Sequence, residues 1–192
     1  MEKLIEFEGK FYARVSSIVH QYVDFSHVPK DVLERKAALG TRVHDIIHET
    51  IEGNFPIAVG KEIGYVQSFE KWRAELNPVF VESEVRHYNE ERKLTGSIDA
   101  LIQLEGDDKC IIVDFKTSAQ ESPITWQIQG HLYHYILNSE GKNLEPVVCF
   151  IKLDKHGKLP TVFQYKINST IMQRCFESID QFWKNQETPG VD

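Results

Sequence analysis

The chain has no apolar run near the ~20 residues that a membrane helix needs; its longest, at 110–113 and 146–151, are the length of core segments. Cysteine is scarce. Cys110, Cys149 and Cys175 are odd in number and far apart, which suits reduced thiols in a core better than a disulfide frame or a zinc knuckle. Positive charge is short as well: 22 Lys and Arg face 29 Asp and Glu, a formal charge of −7, which excludes a broad basic nucleic-acid glove. Low-complexity stretches and linkers are missing, as is any signal-peptide core after Met1-Glu2-Lys3, so the expectation is a cytoplasmic protein with no membrane association. What is there is ordinary globular composition, 41% hydrophobic and 27% charged over 192 residues. Such a chain makes one domain that buries roughly two-thirds of its unfolded surface.

Periodicity divides this domain. Residues 4–7 and 11–15 flank Glu8-Gly9-Lys10 as a hairpin, and Ser16-Ser17 can cap a short helix toward Tyr22. Leu39, Val43, Ile46, Ile47 and Thr50 recur at helical spacing within 31–52, and a second helix is expected over 61–76, stopped by Pro78. The period then changes to that of strands at 79–88, 94–104 and 110–117. Ser122-Pro123 opens a helix, 147–153 and 161–167 read as a strand pair, and Asn168 or Ser169 caps a last helix. The expected fold is α/β, with a mixed sheet flanked by helices, in one domain spanning 1–187. It comprises an N-terminal extension (1–30), a core (31–153), a C-terminal strand and helix (154–187), and then a loose tail at 188–192.

Hairpin arithmetic supplies the most specific signal. Asp99 and Asp114 are equidistant from the centre of the 105–109 turn, and Glu84 and Asp99 from that of the 89–93 turn. Three carboxylates are thus expected in a row on one sheet face, about 5 Å apart at Cβ, with Lys116 beside them. Opposed like charges are unfavourable, and a divalent cation removes the conflict. A solvated acidic face is the plainer alternative, but Asp114 and Lys116 end a run, 111–113, that reads as buried on both sides.

Gly96-Ser97-Ile98-Asp99, Val113-Asp114-Phe115-Lys116-Thr117 and Gln129-Gly130-His131-Leu132-Tyr133, preceded by Gly40-Thr41-Arg42-Val43-His44, form an ordered set. It resembles the PD-(D/E)XK nuclease superfamily, and within it the RecB-type exonuclease group. Ser16-Ser17-Ile18 adds a likeness to small stand-alone nucleases of phages and mitochondria. The resemblance implies a restriction-endonuclease-like core in α-β-β-β-α-β order and a metal-dependent deoxyribonuclease. It implies His44, Asp99, Asp114 and the main-chain carbonyl of Phe115 as ligands of one or two Mg²⁺ or Mn²⁺ ions, with Glu84 as an outer or water-mediated partner. Lys116 then positions or deprotonates the attacking water, while Gln129 and Tyr133 orient Lys116 and the DNA strand. Many bacterial members hold an iron–sulfur cluster on four cysteines; with three, each inside a predicted strand or helix, none is expected here. No P-loop or helicase segment is present, so any motor activity comes from a protein partner in recombination or replication.

His44-Asp45-Ile46-Ile47-His48 also looks like a zincin helix or an HD phosphohydrolase. Asp is too short for the zincin base, and the strand signals oppose an all-helical fold. Trp126 is open to base stacking or to core packing, and Arg35, Lys36, Arg42, Arg86, Arg92 and Lys93 are candidate phosphate contacts. The expected activity is exonucleolytic, on single strands or duplex ends in DNA repair, recombination or replication. A structure- or sequence-specific endonuclease, or a catalytically silent nucleic-acid-binding member of the fold, is the alternative.

Overall fold

The computed structural model describes residues 3–187; the tail expected at 188–192 lies outside the described residues. A hairpin of β1 (Leu4–Phe7) and β2 (Lys10–Arg14) leads into the short α1 (Val15–Val19) and a 3-10 turn, then α2 (Lys30–Ile51) and α3 (Glu62–Leu76). Next come β3 (Val79–Asn89), β4 (Leu94–Gln103), β5 (Cys110–Lys116), α4 (Pro123–Ser139), β6 (Leu144–Lys152), β7 (Thr161–Lys166) and α5 (Ser169–Glu187). Seven strands make one mixed sheet in the order β1-β2-β4-β5-β6-β7, with β3 paired to β4. No helix among the described residues is long and apolar enough to cross a membrane.

Local chemistry sets most boundaries. α3 stops where Asn77 turns left-handed at φ 46, ahead of Pro78. Asn168 opens α5 by accepting the Ile171 N–H at 2.9 Å. The serine cap expected for the first helix is corrected: α1 begins at Val15, and Ser16 and Ser17 lie inside it. Val15 and Ile18 are buried, and their packing draws the helix start ahead of the serines.

Two apolar layers cover the sheet. α2 and α3 supply Val43, Ile47, Phe69 and Trp72 against Ala100, Ile102, Val113, Phe115, Cys149 and Ile151. α1, α4 and α5 supply the other layer, in which Ile98, Leu101, Ile112, Val148 and Phe150 meet Trp126, Ile128, Leu132 and Ile179. Edge strand β3 is fastened to both. Phe80 packs on Phe69 and Trp72, and the buried His87 ring lies 3.0 Å from Glu82 and 2.8 Å from Glu140.

The registers are those of the hairpin arithmetic. Ser83↔Ala100 and Val85↔Ile98 bracket Glu84 and Asp99, and Ala100↔Val113 is the pair next to Asp99 and Asp114. The expected row on one face is nevertheless broken. Ile98 and Leu101 both face α4 while Ala100 and Ile102 face α2 and α3, so side-chain alternation in β4 slips by one residue at Asp99. Opposite it, Glu84 is left-handed at φ 54, a costly conformation for a residue with a Cβ. Asp114 and Lys116 alternate with Val113 and Phe115 and so point toward α4.

Trp126 is 4% exposed and stacked on Phe150 at 5.6 Å, which decides for core packing over base stacking. Trp126→Ala should lower unfolding free energy by about 3–5 kcal/mol in urea titrations.

Candidate active site

β4 and β5 part at Asp99 and Asp114, and β2 takes the vacated edge of β4 through Ala13↔Leu94 and Arg14↔Thr95. In the gap, Asp99 Oδ2 accepts the Phe115 N–H at 2.7 Å, so a side chain replaces a ladder bond. From one side α2 brings His44, whose Nδ1 is 3.4 Å from Asp99 Oδ1 and 3.6 Å from Glu84 Oε1. One ligand atom from each of these three residues lies within 4.8 Å of the others. Gly40, one turn before His44, lets the helix rest on the end of β5: a Cβ there would sit 3.3 Å from Thr117 Oγ1.

From the other side come Asp114 and Lys116. Lys116 Nζ is 2.7 Å from Asp114 Oδ2 and donates to Gln129 Oε1 at 2.9 Å. Gln129 Nε2 in turn donates to Tyr133 Oη at 3.0 Å, as residues four apart on a helix can. Two glycines allow this approach. A Cβ on Gly130 would lie 3.1 Å from Val148 Cβ, so α4 presses directly on β6; one on Gly96 would lie 2.6 Å from the Tyr133 ring.

The groups are held at unusual protonation by their surroundings. Burial pushes the Asp114 carboxyl up to about 6, against the pull of Lys116 and aided by the Asp99 charge. Burial would also raise Asp99, but His44, Lys116 and the Phe115 N–H outweigh it and hold that carboxyl below its ordinary value. Burial opposes charge on His44, yet Asp99 and Glu84 hold the imidazole well above its usual range. Two positive groups therefore offset clustered acids, the charge pattern that suits a cation. Asp114 Oδ2 is buried and has no hydrogen bond, a free acceptor facing the gap. The donors of His44, Glu84, Asp99 and Asp114, one nitrogen among oxygens, fit a small divalent ion.

An open cleft of about 270 Å³ at this point is lined by Gly40, Thr41, His44, Asp45, Glu84, Ser97 and Asp99. Thr41, Asp45 and Ser97 escaped sequence reasoning, although each sits inside or beside a quoted motif; Ser97 Oγ donates to the Glu84 carbonyl at 3.3 Å. His48 does not join His44. Its Nδ1 engages Ser83 Oγ at 3.0 Å, and Ser83 reaches the Asp99 carbonyl at 3.2 Å, so the zincin-like pair is not assembled. Of the candidate phosphate contacts, Arg35, Arg42, Arg92 and Lys93 are paired with Asp31, Glu62, Asp180 and Glu90. Lys36 and Arg86 make no ion pair among the described residues.

The PD-(D/E)XK nuclease superfamily model matches residues 17–185, and the chain belongs to that superfamily. It is thereby a nuclease in its coarse class. In structure it is similar to SSO0001, with a TM-score of 0.53 at 15% identity over 96% of this chain and 80% of that one. It is also similar to LHK-Exo, an alkaline exonuclease from Laribacter hongkongensis, with a TM-score of 0.51 at 10% identity over 92% and 88%. A structure of LHK-Exo in complex with dAMP compares equally, 0.51 at 10% identity over 91% and 87%. At such identities the likeness is one of fold. No curated protein matches the chain in sequence.

Gly96→Ala should displace the Tyr133 ring and cost about 1–3 kcal/mol of stability, read by urea unfolding. The same variant should lose activity beyond its stability loss, because Tyr133 orients Gln129.

Proposed function

We propose that the protein is a divalent-metal-dependent deoxyribonuclease, acting as an exonuclease on single strands or duplex ends in DNA repair, recombination or replication. The observation that carries this reading is the meeting, at one break in the sheet, of His44, Glu84 and Asp99 with the chain Asp114, Lys116, Gln129 and Tyr133. The exonuclease and DNA parts draw support from the fold shared with LHK-Exo, which has been seen with dAMP.

Bound by His44, Asp99, Asp114 and the Phe115 carbonyl, with Glu84 through water, Mg²⁺ or Mn²⁺ supplies charge neutralisation on the phosphate and a more acidic water. The histidine nitrogen tilts preference toward Mn²⁺. The chain's own residues do the rest. Asp99 is held in place by the Phe115 N–H, so its second oxygen keeps a set direction. The Lys116 ammonium has three donors, of which Gln129 takes one. It remains able to orient an attacking water and to stabilise negative charge on the phosphate as the bond to the leaving oxygen breaks. Gln129 can serve only if its amide is turned the right way, and the bond to Tyr133 turns it.

End-labelled single-stranded and blunt duplex DNA should be degraded with Mn²⁺ or Mg²⁺, while a circular single strand should survive. Asp114→Asn and Lys116→Ala should each slow the reaction by roughly 100-fold or more; unchanged rates in both would sink the site assignment. Mn²⁺ at about 100 times its dissociation constant should stabilise the wild type by about 2.7 kcal/mol. A calorimetric scan should show that gain vanish in the Asp99→Asn, Asp114→Asn double variant.

A further inference from the structure

The loop between α2 and α3 carries the most exposed apolar residues described in the chain: Phe55 at 96%, Ile57 at 85% and Val59 at 61%. Pro56 and Ala58 between them are half-buried. The alternation is that of an extended segment turning one face to solvent, and Pro56 holds Phe55 in extended backbone. Nothing in the core needs these side chains, and leaving three of them in water is unfavourable.

The strip is tied to the wall of the cleft. At its start, Asn54 bonds to Glu49 through both backbone and side chain. At its end, the Val59 N–H donates to Glu62 at 3.2 Å, and Glu62 pairs with Arg42. Arg42, Asp45 and Glu49 form one stripe of α2, and Asp45 also lines the cleft beside His44. The strip therefore runs along the flank of the metal-site helix. Its surroundings are acidic, with Asp45, Glu49 and Glu52 all exposed, so a phosphate backbone laid directly on it would be repelled. Lys61, exposed and without an ion pair among the described residues, stands just beyond its end. The net charge of −7 and the paired basic side chains leave little for backbone attraction, so a strand must be held by something else.

We infer that the Phe55, Ile57 and Val59 strip binds the unstacked bases of a single DNA strand whose phosphate lies in the cleft. This rests on the nuclease reading above and extends it to how the strand is held. Apolar and aromatic contact suits every base face, so such grip carries little sequence preference and favours unpaired over paired DNA.

The test measures binding to a single-stranded oligonucleotide and to a same-length abasic strand, in Ca²⁺ to suppress cleavage, for wild type and for Phe55→Ser and Phe55→Ser/Ile57→Ser. Both positions are exposed, so thermal midpoints should be unchanged. The wild type should prefer the base-bearing strand by roughly tenfold, and the double variant should lose that preference while its affinity for the abasic strand stays the same. Equal wild-type affinity for the two strands, or a preference that survives in the double variant, overturns the inference. So does a wild-type dimer in sedimentation that Phe55→Ser converts to monomer with strand affinity unaltered, which would make a second copy the occupant. The nuclease reading fails separately: it falls if wild type with Mn²⁺ cleaves no DNA, whatever the binding shows.

Discussion

One hydrogen bond, from the Phe115 N–H to Asp99 Oδ2, holds the site's architecture together. It satisfies a backbone donor at the point where β4 and β5 separate, a place where a buried N–H would otherwise lack a partner. The separation opens the middle of the sheet. Side chains from its two faces can then meet: His44 and Glu84 from the α2 side, Lys116 and Gln129 from the α4 side. Asp99 is at once the structural plug and a member of the acidic group, so its geometry is held by the same bond that closes the gap.

The cost of this arrangement is visible in its charges. Asp114 is 2% exposed, sits beside Asp99, and is offset by Lys116 at 2.7 Å. A buried cluster of this kind is no source of stability, since desolvation consumes the attraction. Stability comes instead from two continuous apolar layers, with Phe69, Trp72 and Phe115 in edge contact on one face and Trp126 stacked on Phe150 on the other. Rigid layers on both faces are what permit a polar, strained break between them. The left-handed Glu84 belongs to the same break.

Much of this was legible in the chain. The strand registers followed from the turn centres, because an antiparallel hairpin leaves no freedom once its turn is placed, and the observed pairs on either side of Glu84, Asp99 and Asp114 agree. The Gln129 and Tyr133 spacing announced one helix face, and they do bond in series to Lys116. The row of acids on one face was not legible correctly. That expectation assumed unbroken alternation, and neither the slip at Asp99 nor the positive φ at Glu84 carries a sequence signal, since neither residue is glycine. The serines of α1 misled for a related reason: burial of Val15 and Ile18 outweighed capping chemistry.

The sequence by itself determined the order of elements, the register of the three central strands and the residue types gathered near their middle, because periodicity, turn position and spacing are local properties. Only the tertiary structure decided which face each acid takes, that His48 turns to Ser83 rather than to His44's partners, and that Trp126 is core. It also decided that Phe55, Ile57 and Val59, unremarkable as letters, stand in solvent along the helix of His44. Those outcomes depend on how two layers pack around a sheet that parts in its centre, and no short window of sequence contains both sides of that gap.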